Sequence, residues 1–251
     1  MSGITQVING YRHYHSYRSC TTPTYGKDGS AHHWPDEISY NWNSLGFRSN
    51  ELQKDKKSIA TFGCSFTTGV GIPQHQRFGD VVASEHDMDH YCFGTPAADN
   101  MTIFHNFLHF AEHDIKNLDL QYVLILWTFK GRFTWHNNGN LDTEYSMDVQ
   151  PETWQRKFLI DWDANVATCY LETMMRSVDQ ICKLKNIPVI QTIVEPIILP
   201  SDVNSFFQYL HFNKNNSILV DKARDNSHPG KMTHSKLAKF YCDIISNISK
   251  L

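Results

Sequence analysis

Two short stretches of this 251-residue chain hold side chains whose types and order suit acyl chemistry. The first is Gly63-Cys64-Ser65-Phe66-Thr67-Thr68-Gly69-Val70-Gly71, where a serine follows an apolar run. A serine at a strand-to-helix turn is held exposed, its backbone N–H points toward a developing oxyanion, and nearby glycines permit the tight path. The same placement suits a serine that only caps a helix. The second stretch is Asp225-Asn226-Ser227-His228-Pro229-Gly230. A nucleophilic hydroxyl needs a base within hydrogen-bond reach, and that base needs an acceptor to fix its tautomer and stabilise the imidazolium. Asp225 and His228 on one loop supply both. A turn in which Asp225 satisfies backbone N–H groups and Pro229-Gly230 opens a helix fits the same residues.

The elements that must bring these stretches together can be read from periodicity. Ser58–Gly63 is a short apolar run, and residues 76–86 carry Phe78, Val81 and Val82 at helical spacing. Residues 89–94 form a second strand, 100–113 an amphipathic helix, and 121–128 a fully apolar third strand. A long helix runs from Asp163, as N-cap, through Val166, Tyr170, Met174, Val178 and Ile181 to Leu184. A fourth strand follows at 187–194, then a helix at 200–212 and a weaker fifth strand at 216–221. The last helix opens near Pro229 and has an apolar face of Leu237, Phe240, Tyr241, Ile244, Ile245 and Ile248. Strands alternating with helices predict an α/β domain with a mainly parallel five-stranded sheet between helices. Loops at the carboxyl edge of such a sheet share one crevice, and Ser65 falls on that edge. Residues 1–57 read as an extended arm packing on a domain of residues 58–251. Residues 129–162 read as an insertion, with Phe129, Phe133, Trp135, Trp154 and Trp162 among polar residues and an Asn-Asn-Gly-Asn turn at 137–140.

Composition narrows the function. The net charge of −3 and pI near 6.5, with charges scattered along the chain, give no footprint for nucleic acid. No run of 18 apolar residues occurs, and the N-terminal stretch is too polar for a signal peptide, so a cytoplasmic or otherwise soluble chain without membrane contact is expected. Cys20, Cys64, Cys92, Cys169, Cys182 and Cys242 lie far apart with no CxxC pair and read as buried thiols. The Tyr11, His13, Tyr14, His15, Tyr17 cluster and His32-His33 lack carboxylate or thiolate partners at ligand spacing, so no metal site is expected.

Gly63-Cys64-Ser65-Phe66-Thr67 resembles the GDS(L) block of the SGNH (GDSL-like) hydrolases, and Asp225-Asn226-Ser227-His228-Pro229 resembles their terminal DxxHP block, in the same order. The resemblance covers roughly residues 58–245. Asn43-Ser44-Leu45-Gly46-Phe47-Arg48 is similar to a segment that precedes the first strand in some members of this superfamily. The resemblance implies a flavodoxin-like three-layer fold, Ser65 as nucleophile, His228 as general base and then acid, and Asp225 as the group orienting His228. No cofactor is implied. In Gly94-Thr95-Pro96-Ala97-Ala98-Asp99-Asn100, Ala97 stands where the family has an oxyanion-hole glycine. Its backbone N–H survives as a donor if the local φ is negative. The family's GxND block falls at Trp127-Thr128-Phe129-Lys130, which has no Asn.

Asn100 is the candidate to replace that donor, with a plain N-cap as the alternative. Arg48 and Arg132 are candidates to hold an anionic or carbonyl group of a substrate, against solvated or structural roles. Glu195 faces the predicted crevice. Cys64 reads as core. The expected activity is that of an esterase or O-deacetylase acting on a small-molecule or carbohydrate ester, with the aromatic insertion as a substrate-facing cap. Acyl transfer uses the same residues, and a non-catalytic glycan-binding or assembly module is the competing expectation.

Overall fold

The structure, a computed structural model, describes residues 5–8, 10–14, 38, 40–130, 132–137, 140–145, 164–194, 208–209, 219–223 and 228–248. Its strands are β1 (Thr5–Ile8), β2 (Tyr11–Tyr14), β3 (Lys57–Gly63), β4 (Asp89–Gly94), β5 (Asp119–Trp127), β6 (Arg132–Asn137), β7 (Asn140–Tyr145), β8 (Val189–Ile193) and β9 (Gln208–Tyr209). Its helices are α1 (Ser65–Thr68), α2 (Phe78–Glu85), α3 (Asn100–His113), α4 (Ala164–Leu184) and α5 (Lys231–Ile248).

The central sheet runs β4-β3-β5-β8-β9 with every pair parallel. Each interior strand alternates its side chains between two mainly apolar layers, and the polar exceptions Thr61, Gln191 and Thr192 are buried with hydrogen-bond partners. On one face Ala60, Phe62, Val123, Ile125 and Trp127 meet Ile103, Phe107 and Phe110 of α3 and Leu171, Met175 and Val178 of α4. On the other, Ile59, Leu124 and Leu126 meet Phe78 and Val82 of α2 and Leu237, Tyr241 and Ile245 of α5. The result is three layers. The first strand of the sheet, β3, has the second (β4) on one side and the third (β5) on the other, so the chain reverses direction across the sheet at β3 and opens a crevice at its carboxyl end.

Two expectations need correction. Four strands of the sheet have full length, and the fifth is a two-residue strand, Gln208–Tyr209, inside the stretch expected to be helical. The fifth strand expected at 216–221 is not formed by residues 219–221; there Lys222 makes an isolated antiparallel bridge to Pro229 instead. The reason is that Asp221 turns back onto α5, as described below. Residues 216–218 and most of 200–212 lie outside the described residues. Cys169, expected to be buried, is exposed on α4, whereas Cys64, Cys92 and Cys182 are buried.

Among the described residues of the expected arm, two short strands pair. β1 and β2 form an antiparallel hairpin with Ile8 opposite Tyr11, leaving two residues between them. Tyr11 is fully buried against Phe47, Phe93 and His109, and its hydroxyl donates to Asp114. Within the insertion, β6 and β7 pair antiparallel, with Asn137 opposite Asn140. Among the described residues, no helix is long and apolar enough to cross a membrane.

Candidate functional site

Ser65 is the first residue of α1, directly beyond the carboxyl end of β3, and is buried. Its helix is one turn long and closes on Gly69, whose left-handed φ of 70° lets its N–H return to Phe66 O and Ser65 O. The turn is packed too tightly for side chains at its entry. A Cβ on Gly63 would lie 2.0 Å from Thr67 Oγ1 and 2.9 Å from Leu126 O. Cys64 is fully buried in the α3/α4 layer, as expected of a core residue.

Next to this turn, β4 ends and Thr95-Pro96-Ala97-Ala98 forms a β-turn closed by Ala98 N–H donating to Thr95 O at 3.1 Å. Ala97 has φ +60°. With Pro96 fixing a negative φ before it, this is a type II turn, whose third position favours glycine. The condition of a negative φ is therefore not met. Ala97 instead keeps the left-handed conformation that a glycine there adopts freely, and it is half-buried among buried neighbours. The turn is tied to β3 by Thr95 N–H donating to Gly63 O at 2.9 Å.

Asp99, not Asn100, caps α3: its side chain accepts from Thr102 N–H at 2.7 Å. Asn100 does something else. Its Oδ1 accepts from Thr128 N–H at 2.8 Å and its Nδ2 donates to Thr128 O at 3.2 Å. The carboxamide thus clips the start of α3 to the end of β5, at the position of the missing GxND block.

The arginines are placed for support. Arg48 is fully buried, and its guanidinium donates to the carbonyls of Thr68, Gly69 and Ile72. A group with no exposed surface makes no substrate contact, so that expectation is corrected. Arg132 is also buried, and its Nη1 donates to Ala98 O at 3.0 Å, bracing the type II turn from the first residue of β6. Glu195, Asp225, Trp154 and Trp162 lie outside the described residues.

His228 is half-buried at the same edge. Its ring lies edge-on to Phe66, the neighbour of Ser65, with centroids 6.1 Å apart. Phe66 in turn meets Phe129 edge-on at 6.3 Å. Sequence reasoning missed the group that sets the loop carrying His228. Ala223 N–H donates to His228 O at 2.8 Å, and Gly230 N–H donates to Asp221 O at 3.0 Å. The Asp221 carboxylate accepts from Met232 N–H at 3.0 Å and Thr233 N–H at 2.8 Å, satisfying the first turn of α5. A cap supplied from that far upstream leaves no local signature. Among the described residues no cluster of three or more His, Cys, Asp or Glu side chains is arranged to hold a metal ion.

A serine at the switch point of a 2-1-3-4-5 parallel sheet, with a histidine just before the last helix, is the three-layer architecture that the sequence resemblance implied. No protein-family model and no curated protein sequence matches the chain. Solved structures do. One is a carbohydrate esterase family 2 enzyme with a carbohydrate-binding domain from Corynascus thermopiles (Myceliophthora fergusii), with TM-score 0.50 and 12% identity over 80% of this chain and 69% of that one. Others are an acetyl xylan esterase from the rumen bacterium Butyrivibrio proteoclasticus (0.48, 12%, 80% and 66%) and a member of the lipolytic G-D-S-L family from Veillonella parvula (0.43, 9%, 76% and 98%). At these identities the likeness is one of fold.

Proposed function

We propose that the chain is a serine esterase or O-deacetylase. Ser65 Oγ attacks an ester carbonyl while His228 takes its proton. The backbone N–H groups of Ser65 and Ala97 receive the oxyanion, and His228 then protonates the leaving alcohol. Water, activated by the same histidine, releases the acid from Ser65. Asp225 orients His228. Asn100 Nδ2 carries two protons, and the one not given to Thr128 O is the third donor in this scheme. No cofactor takes part.

The observation that carries the reading is the contact of the His228 ring with Phe66, beside a serine that opens a helix at the carboxyl edge. The Ala97 turn lies next to it, tied to the end of β3 by Thr95 N–H on Gly63 O. Carbohydrate O-acetyl esters are the preferred substrates. Half-buried Phe66 and Phe129 offer aromatic surface near the nucleophile, and the fold is shared with a carbohydrate esterase. A second reading, a non-catalytic glycan-binding or assembly module, draws on the GxND position, where Thr128 N–H is already taken by Asn100.

A fluorophosphonate probe separates the two. Labelling of the wild type that is lost in Ser65→Ala and His228→Ala, with aryl acetate hydrolysis falling roughly 10³-fold or more, is the expected result. A folded wild type that neither labels nor hydrolyses short aryl acetates leaves the binding-module reading standing.

A further inference from the structure

The segment Asn43-Ser44-Leu45-Gly46-Phe47-Arg48 belongs to no helix or strand, yet it is firmly built. Asn43 Oδ1 accepts from Phe47 N–H at 2.9 Å, and the backbones of the same two residues pair at 2.8 Å around Gly46. Phe47 is sunk into the core against Tyr11 and Phe93. The next residue, Arg48, is thereby delivered beneath α1.

We propose that Arg48 is a positioning residue for Ser65, its guanidinium holding in place the one-turn helix that carries the nucleophile. The proposal rests on the hydrolase reading above. A four-residue helix does not hold itself, because one turn fixes several dihedral angles for little hydrogen bonding. Its last carbonyls also have no partner within the helix. Arg48 supplies both needs: Nη1 donates to Gly69 O at 2.6 Å and to Thr68 O at 3.3 Å, and Nη2 donates to Ile72 O at 2.9 Å. The link to the nucleophile is short, since Gly69 N–H donates to Ser65 O at 3.0 Å and Val70 N–H to the same oxygen at 3.3 Å. A shift of Gly69 is passed directly to the backbone of Ser65.

The brace is itself anchored. The Arg48 guanidinium lies 4.1 Å over the Tyr40 ring, and the Tyr40 hydroxyl accepts from Gly71 N–H at 2.8 Å. Arg48 O accepts from Arg77 Nη1 at 2.6 Å, and Arg77 is gripped by both Asp80 oxygens. Burial and the Arg77 charge lower Arg48 to about 10, so it stays protonated at neutral pH. Two fully buried guanidinium groups side by side are a costly arrangement for stability alone, since apolar packing serves that end as well or better. What the planar fork adds is direction, which a lysine's single ammonium does not reproduce.

The test compares Arg48→Lys and Arg48→Met with the wild type in kcat, KM, fluorophosphonate labelling rate and Tm. A nucleophile misplaced by about 1 Å loses about 100-fold in rate, so kcat and labelling fall about 10- to 100-fold with KM within about twofold. Lys recovers part of the loss seen in Met. Val178→Ala, in the α4 core, lowers Tm while kcat holds. Arg48 variants that are folded at the assay temperature and keep wild-type kcat and labelling overturn the positioning role alone, provided that Ser65→Ala is inactive. A wild type that is not labelled overturns the hydrolase reading and the positioning role with it. If the Arg48 variants do not fold, Tyr40→Leu, which removes the ring under the guanidinium, takes their place. Slower labelling supports the proposal, and unchanged labelling in Tyr40→Leu overturns it.

Discussion

Ala97 bears a conformational cost that its neighbours do not. A non-glycine residue in the left-handed region costs about 1–2 kcal/mol, and such strain persists where the surroundings over-determine it. Here Pro96, the Thr95–Ala98 hydrogen bond and Arg132 on Ala98 O enforce the turn. Ala97→Gly removes the strain but adds about 0.5–1 kcal/mol of chain entropy to be lost on folding, so a net gain of up to about 1 kcal/mol is expected. In a chain of this size that raises Tm by about 2–4 °C, readable by thermal denaturation, with kcat retained because the N–H stays in place. A lower Tm for Ala97→Gly contradicts the strained-turn account. The places of Ser65 at the start of α1 and of His228 just before α5 were legible in the sequence, because apolar runs mark where β3 stops and where α5 begins. The work of Arg48 was not legible. Its partners are backbone carbonyls, present at every residue, so nothing in the side chains of Thr68, Gly69 or Ile72 announces them.

Elements were read well wherever an apolar period ran long enough. β3, α2, β4, α3, β5, α4 and α5 fall within a few residues of expectation, because each buries a continuous stripe or face against the sheet. The hairpin β1–β2 was passed over, although Asn9-Gly10 between short runs is a strong hairpin signal and Gly10 has φ +85°. Aromatic crowding around it hid the alternation. Residues 219–221 of the strand expected at 216–221 were misread because Ile218, Leu219 and Val220 have strand composition, while Asp221 and Thr233 tie this part of the chain to the start of α5. Asp221→Ala removes acceptors for Met232 and Thr233 N–H and is expected to destabilise by about 1–2 kcal/mol, a cap-sized loss. Because the same ladder carries His228, kcat falls further than Tm alone explains, when both are compared with Asp221→Asn. Equal kcat in all three proteins counts against a link between this cap and the histidine.

At the scale of the whole molecule, two buried histidines make stability depend on pH. His234 is fully buried, its Nδ1 accepts from Phe78 N–H at 3.1 Å, and burial together with the Arg77 charge pushes its pKa down to about 3. His90 is lowered in the same direction by burial, although Asp80 lies 3.1 Å away and pulls the other way. Both rings bind protons less readily in the native protein than in the unfolded chain, where they take them up below about pH 6.5. Their contribution is complete above that pH and is lost as pH falls toward the native values, at up to about 1.4 kcal/mol per pH unit for each ring. Urea unfolding at pH 7, 6 and 5 should show this slope, steepening toward pH 5, and His234→Gln should reduce it by about 1 kcal/mol per unit averaged over that range. Parallel slopes in the two proteins rule His234 out as the source. The buried Tyr11 has a consequence of another kind, for the time course of synthesis. Its hydroxyl partner Asp114 lies 103 positions later, so at about 5–20 residues per second the hairpin waits roughly 5 to 20 seconds on the ribosome before its seat exists. For that interval an apolar ring meant for the core is exposed to chaperones, and the nascent chain has to keep it soluble until α3 emerges.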